Sequence, residues 1–111
     1  MFDMMKMMGK MKEVQQKMKE AQDNLIRVKA SGESGGGLVR VVANGKKQVL
    51  SIDIDPMIIK SDDKLLMQDL IVAAVNKALD EAEIVAKEEL KKATDGLLPN
   101  IPGMDLSNLM G

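Results

Sequence analysis

Few residues in this chain could act in catalysis or bind a metal ion, and the residue types present limit the possible reactions. The sequence contains no His and no Cys, which removes the commonest general base and the usual ligands of zinc. Asp53 and Asp55 are two residues apart, so on a strand they would share a face and could hold a hard cation or act as an acid and a base. A simpler explanation is that Asp53 and Asp55 lie on the solvent-facing edge of a half-buried sheet. We therefore predict no enzyme, no metal or other cofactor, and no small-molecule substrate.

Basic side chains near the N-terminus form the second suggestive set. Residues 1–30 carry seven Lys or Arg against four Asp or Glu, whereas residues 62–96 carry five against nine. A polyanion should prefer the N-terminal segment, although the net charge of the chain is −1. Two interpretations stay open, an ordinary solvated helix face and a row of phosphate contacts. The candidate residues of such a phosphate-binding row are Lys6, Lys10, Lys12, Lys17, Lys19 and Arg27.

A long first helix is predicted to carry these lysines. Apolar residues recur from Met4 to Val28 at alternating spacings of three and four, which is typical of a left-handed coiled coil. Such a helix would be about 35 Å long, so part of its seam is expected to meet another chain. Packing within one subunit and a methionine-rich groove for other proteins are the alternatives. The candidate residues of a dimer seam are Met7, Met11, Val14, Met18, Ala21 and Leu25.

The sharpest β signal is a hairpin between Gly35 and Pro56. Asn44-Gly45 closes the first of two apolar runs, residues 38–43 and 48–55, and predicts a tight two-residue turn. A short strand up to Ser31 is expected to fold back through the glycines at 35–37, giving a three-stranded antiparallel sheet. In the last strand Leu50, Ile52 and Ile54 alternate with polar residues, so one face of the sheet must be covered.

A second long helix is the predicted cover for these three side chains. It should begin after Ser61-Asp62-Asp63, which offers N-cap residues, and end at Asp95-Gly96. Asn76 within it could be buried or exposed. The fold class is therefore α+β, an α-β-β-β-α subunit with a long N-terminal helix, a three-stranded antiparallel sheet and a long second helix. Residues 1–96 should form one domain and residues 97–111 a flexible tail containing Pro and Gly.

The composition, with 45% hydrophobic residues, is typical of a globular protein. Charged residues interrupt the methionine-rich N-terminus, so no uncharged run reaches signal-peptide or membrane-spanning length. We expect a cytoplasmic protein with no membrane partner.

Taken in order, several segments resemble one family. They are the Met/Gln/Lys-rich first helix, residues 31–41 (Ser-Gly-Glu-Ser-Gly-Gly-Gly-Leu-Val-Arg-Val), Asn44-Gly45, residues 52–56 (Ile-Asp-Ile-Asp-Pro), residues 69–78 (Asp-Leu-Ile-Val-Ala-Ala-Val-Asn-Lys-Ala) and residues 101–104 (Ile-Pro-Gly-Met). Each segment is weak alone, but their order and spacing are specific. By this resemblance the chain is identified as a member of the YbaB/EbfC family of nucleoid-associated proteins.

The resemblance implies a homodimer formed largely through the sheets, with protruding helical arms. It also implies binding to double-stranded DNA with low sequence specificity, organisation of the nucleoid, and effects on gene expression. The rival hypothesis is a protein-interaction module, chaperone-like or an adaptor, that uses the methionine-rich seam.

Overall fold

The computed structural model describes residues 4–95. It confirms the α+β fold, with a long N-terminal helix, a three-stranded antiparallel sheet and a long helix after the sheet. The predicted tail, residues 97–111, lies outside the described residues. The elements are α1 (Met4–Asn24), a 3₁₀ turn (Leu25–Arg27), β1 (Lys29–Ser34), β2 (Val39–Asn44), β3 (Val49–Ile54), α2 (Pro56–Lys60) and α3 (Lys64–Thr94).

The chain divides into two compact units. Within the described residues the first, here called the terminal unit, contains residues 4–24 and 87–95, and the second, the sheet unit, contains Leu25–Ala86. α1 therefore belongs to the terminal unit, and α3 begins in the sheet unit and ends in the terminal unit.

Small apolar side chains form the core of the sheet unit. Alternate residues of β2 point to one face, and alanines four residues apart on α3 form a stripe that packs on this face. Gly32 of β1 permits a close approach, because a Cβ atom there would lie 2.7 Å from the carbonyl oxygen of Ala74. The buried residues of this core are Ala30, Val39, Val41, Ala43, Ala74, Ala78 and Ala82.

β3 lies at one edge of the sheet, in the order β1-β2-β3, and α3 covers it only in part. Ile54 packs against the core. Ile52 pairs with Val41 and so faces the same side of the sheet, yet Ile52 is 45% exposed and Leu50 is 50% exposed. The prediction that the second long helix covers all three residues is therefore wrong for Leu50 and Ile52, because the alanine stripe packs on β1 and β2.

The first connection of the sheet is the predicted glycine turn. Gly35, Gly36 and Gly37 have φ angles of 63°, 69° and 97°, a region that side chains with a Cβ atom disfavour. β1 continues to Ser34 rather than ending at Ser31, and its last residue is anchored, since Ser34 Oγ donates a hydrogen bond to the carbonyl oxygen of Leu70 over 2.6 Å.

The second connection differs from the predicted two-residue turn. The backbone nitrogen of Lys47 donates to the Asn44 carbonyl oxygen over 3.0 Å, and that of Asn44 donates to the Gln48 carbonyl oxygen over 3.0 Å. The loop is thus three residues long, with the left-handed conformation at Lys47, whose φ is 61°. Gly45 is needed for another reason, because a Cβ atom there would lie 2.8 Å from the carbonyl oxygen of Leu25.

Aspartates begin both helices that follow the sheet. Asp63 Oδ1 accepts a hydrogen bond from the backbone nitrogen of Leu66 over 2.9 Å, which confirms the predicted start of the second long helix. Asp55 Oδ1 accepts one from the nitrogen of Met57 over 2.8 Å and caps α2, a short helix that the sequence pattern does not predict. Pro56 is typical of the end of a strand, but it equally suits the first turn of a helix.

Candidate nucleic-acid interface

α1 presents its lysines on two flanks of an apolar stripe. The helix is continuous from Met4 to Asn24, so residues along it are rotated by about 100° from one to the next. Lys6, Lys10 and Lys17 consequently lie along one flank, and Lys12 and Lys19 lie along the other. All five side chains are exposed.

Acidic residues occupy the side of α1 opposite the stripe. Glu13, Glu20 and Asp23 project from this side and are exposed. Glu20 accepts a hydrogen bond from Gln16 Nε2 over 3.2 Å. The acidic side separates the two lysine flanks, so a polyanion would meet lysines beside the stripe and carboxylates behind it.

The apolar stripe of α1 is more exposed toward its N-terminus. Met7 is 55% exposed and Met11 is 62% exposed, whereas Val14, Met18 and Ala21 are half-buried. These five candidate seam residues therefore share one helix face in the terminal unit, with its N-terminal half open.

Leu25, the sixth candidate seam residue, belongs to the sheet unit instead. α1 ends at Asn24, and Leu25 opens the 3₁₀ turn, where it is buried with 8% exposure. Its carbonyl oxygen accepts hydrogen bonds from the backbone nitrogens of Val28 and Gly45. The coiled-coil spacing extends past the end of α1, so Leu25 packs within the chain and is not presented on the helix seam.

Arg27 also lies in the sheet unit, at the last position of the 3₁₀ turn, and is exposed. The structure therefore brings the five candidate lysines onto one helix and places Arg27 on a different unit. Two further basic residues, Lys29 and Lys46, lie close to Arg27 in the fold. The sequence pattern does not single them out, because their proximity depends on the register of β1 on β2.

An open groove of about 470 Å³ lies within the terminal unit. Its charge is mixed, since it combines two lysines with two glutamates. Lys92 Nζ lies 3.9 Å from Glu89 Oε1, so one of these lysines already faces a carboxylate. Such a groove does not select for an anion. The lining residues are Lys17, Glu20, Ala21, Asn24, Glu89, Lys92 and Ala93.

The acidic side chains of the described residues were the candidates for a metal site. Within residues 4–95 there is no group of three or more acidic side chains that could hold a metal ion. Asp55 caps α2 and so has a structural role. No helix among these residues has both the length and the apolar character needed to cross a membrane.

Fold and site together define a small α+β protein whose candidate interface is a lysine-flanked helix. The sequence matches the YbaB/EbfC DNA-binding family over residues 1–97. This match covers most of the chain, and the chain belongs to the YbaB/EbfC DNA-binding family.

Relatives of known name support this assignment. A nucleoid-associated protein of Chlorobium phaeobacteroides is 50% identical over 91 residues, which cover 79% of this chain and 80% of the relative. A nucleoid-associated protein of Rhizobium meliloti is 46% identical over 106 residues, covering 96% of this chain and 98% of the relative.

A solved structure supports the fold alone. The crystal structure of an uncharacterized protein from Helicobacter pylori superposes with a TM-score of 0.55 at 23% identity. The superposition covers 76% of this chain and 93% of the other.

Proposed function

We propose that this protein binds double-stranded DNA as a homodimer with low sequence specificity, in the cytoplasm and associated with the nucleoid. By binding along the chromosome it would organise the nucleoid and influence gene expression. The observation that carries the proposal is that the chain belongs to a DNA-binding family. The five exposed lysines of α1, beside one apolar stripe, supply the candidate contacts. The names of its relatives as nucleoid-associated proteins are consistent with this role.

Contacts from these lysines would go to the phosphate backbone. A lysine ammonium is a compact charge on a flexible stem, so it can reach a phosphate without a fixed geometry, and phosphate contacts carry no sequence information directly. The sequence has no Trp or Tyr and a single Phe, so base stacking on aromatic side chains contributes little. Binding should therefore be modest, sensitive to salt and nearly independent of DNA sequence.

Apolar surface on β3 supports the homodimer. β3 is an edge strand, and Val49, Leu50 and Ile52 on it are each at least 42% exposed. An exposed apolar edge strand is a site where another chain readily pairs or packs. We propose that a second copy of this chain covers β3, and that the methionine stripe of α1 contributes further contact area.

The test is a titration of the purified protein with duplex DNA at several salt concentrations. Double variants neutralise one flank at a time, Lys10→Gln/Lys17→Gln and Lys12→Gln/Lys19→Gln. The slope of log affinity against log salt should become shallower by about 0.9 for each phosphate that the variant no longer neutralises. The matched control, Lys10→Arg/Lys17→Arg, keeps the charge and should keep the slope.

Two results would contradict the proposal at different levels. Failure of the wild-type protein to bind DNA at low salt would exclude the function itself. Wild-type binding with unchanged slopes in both neutralised variants would exclude the α1 lysines as the residues that bind phosphate and leave DNA binding intact.

The second candidate function is a protein-interaction module, and the exposed methionines favour it. Met4, Met7 and Met11 leave a flexible apolar surface of the kind that adapts to different partners. Recovery of one stoichiometric protein partner after nuclease treatment, and its absence with a Met7→Gln/Met11→Gln variant, would support this function. Retention of the partner by that variant would count against it.

A further inference from the structure

We infer that Arg27, Lys29 and Lys46, here called the loop-end cluster, form a second site for DNA backbone phosphates. The inference rests on the proposed DNA binding and adds phosphate-binding residues in the sheet unit, outside the candidate helix α1. All three residues are exposed. The cluster lies where the 3₁₀ turn and the start of β1 meet the loop between β2 and β3.

Backbone hydrogen bonds bring the cluster together. Lys29 is the register partner of Asn44, which places the start of β1 beside the end of β2. The nitrogen of Gly45 donates to the carbonyl oxygens of Leu25 and Val28, each over 2.9 Å. These two acceptors lie on either side of Arg27 in the sequence, and Gly45 immediately precedes Lys46. The backbone that carries Arg27 is therefore held beside the backbone that carries Lys46.

The loop itself is well fixed, which favours a defined binding surface. Asn44 Oδ1 accepts hydrogen bonds from the backbone nitrogens of Lys46 and Gln48, over 2.9 Å and 3.1 Å. Asn44 Nδ2 donates to Gln48 Oε1 over 2.7 Å, and Asn44 is fully buried. Lys46 therefore projects from an ordered backbone, so the entropic cost of holding it against a phosphate is smaller.

Charge is segregated between the two ends of the sheet. Among residues 4–95, no ion pair joins Arg27, Lys29 or Lys46 to an acidic side chain, whereas Lys47 of the same loop pairs with Glu83 at 3.6 Å. At the opposite end, Arg40 lies 3.5 Å from Glu33 and is the register partner of Asp53. The loop end thus offers an excess of positive charge to a polyanion, and the other end does not.

Lys29 adds an orientation to the cluster. Its neighbour Ala30 is buried in the core against α3, so Lys29 points to the opposite face of the sheet. The phosphates that the cluster binds would consequently lie at the rim of the sheet face that α3 leaves uncovered.

The test compares the triple variant Arg27→Gln/Lys29→Gln/Lys46→Gln with the wild-type protein in the salt-dependent DNA titration. The triple variant should bind more weakly at low salt, and its slope of log affinity against log salt should be shallower by about 0.9 for each phosphate left without a basic partner. The matched control is Arg40→Gln. Arg40 is a basic residue of the same sheet that already pairs with Glu33, so this variant should keep the wild-type slope. Lys29→Arg/Lys46→Arg should keep it as well, because the charge remains.

The outcomes separate this inference from the function on which it rests. If the wild-type protein binds DNA and the triple variant has an unchanged slope of log affinity against log salt, the inference alone is overturned. It is also overturned if this slope becomes equally shallower in the triple variant and in Arg40→Gln. Absence of wild-type binding at low salt overturns both. Circular dichroism checks that the triple variant folds. If the triple variant does not fold, the inference is tested with the single variants Lys29→Gln and Lys46→Gln. Each is expected to make the slope of log affinity against log salt shallower by about 0.9.

Discussion

The backbone nitrogen of Gly45 donates a hydrogen bond to the carbonyl oxygen of Leu25 over 2.9 Å and so joins the hairpin loop to the turn after α1. A Cβ atom on Gly45 would lie 2.8 Å from this oxygen and 3.1 Å from the Leu25 Cβ. Backbone atoms cannot move aside as a flexible side chain can. Position 45 of the loop therefore requires glycine, because a residue with a Cβ atom would clash with Leu25.

Substitution of Gly45 should destabilise the protein through this close approach. Gly45→Ala is expected to lower the free energy of unfolding by about 1–3 kcal/mol, as overpacking does, measured by urea denaturation. The control is Gly9→Ala in α1, where a Cβ atom meets nothing within 4 Å. Because alanine favours helix, this control should raise stability by about 0.5–1 kcal/mol. Equal stability of Gly45→Ala and wild type would refute the steric explanation.

Leu25 should contribute to folding within the chain. It is 8% exposed, whereas its neighbour Ile26 is 53% exposed. Leu25→Ala should lower the free energy of unfolding by about 2–4 kcal/mol, and the control Ile26→Ala should change it by no more than about 0.5 kcal/mol. Urea denaturation measures the stability of each variant, and light scattering measures its mass. A Leu25→Ala protein of wild-type stability but lower oligomeric mass would instead return Leu25 to a dimer seam.

The contrast between Leu25 and the lysines of α1 shows what the sequence can predict. Helical spacing alone assigns Lys10 and Lys12 to different flanks, because one regular element contains both. The same spacing carries on to Leu25, although α1 ends one residue earlier. The turn that follows the helix is held by hydrogen bonds from Gly45, which is distant in sequence, and a local pattern does not contain that information.

Strand pairing explains the other differences. Alternation correctly predicts that Ile52 and Ile54 share a face, but which strands α3 covers depends on the close approach at Gly32. Likewise Lys29 comes to lie beside the loop that carries Lys46 only through the register of β1 on β2, in which Lys29 is the partner of Asn44. The fold class and the faces of the helices can be predicted from local periodicity. Which strands α3 covers, and which basic residues come together at the loop end, depends on tertiary contacts.

The cap of α3 provides a test of local stability. Asp63 Oδ1 accepts a hydrogen bond from the nitrogen of Leu66, and an aspartate at this position also interacts favourably with the helix dipole. Asp63→Ala should lower the melting temperature, with a decrease in stability of about 1 kcal/mol. The adjacent exposed residue serves as control, since Asp62→Ala removes the same charge without removing the cap. An equal effect of both substitutions would attribute the decrease to charge alone.

The proposed dimer can be tested at the exposed edge strand. Ile52 is 45% exposed and pairs with Val41, whereas Ser51 next to it points to the other face of the sheet. If a second copy covers Ile52, then Ile52→Asp would bury a charge at the interface and should shift the mass measured by light scattering from dimer toward monomer. Ser51→Asp introduces the same charge on the same strand and should shift it less.

Loss of the dimer should also weaken DNA binding by the Ile52→Asp protein. A monomer presents half the lysines of a dimer to one duplex, so Ile52→Asp should bind DNA more weakly and with a shallower salt dependence. Circular dichroism must show that Ile52→Asp remains folded, which its exposure in the single chain makes the expected result. A folded Ile52→Asp protein that keeps the mass of a dimer would rule out this face of β3 as the dimer interface. If its DNA affinity fell nonetheless, the cause would be the added negative charge, and the Ser51→Asp protein would show the same decrease.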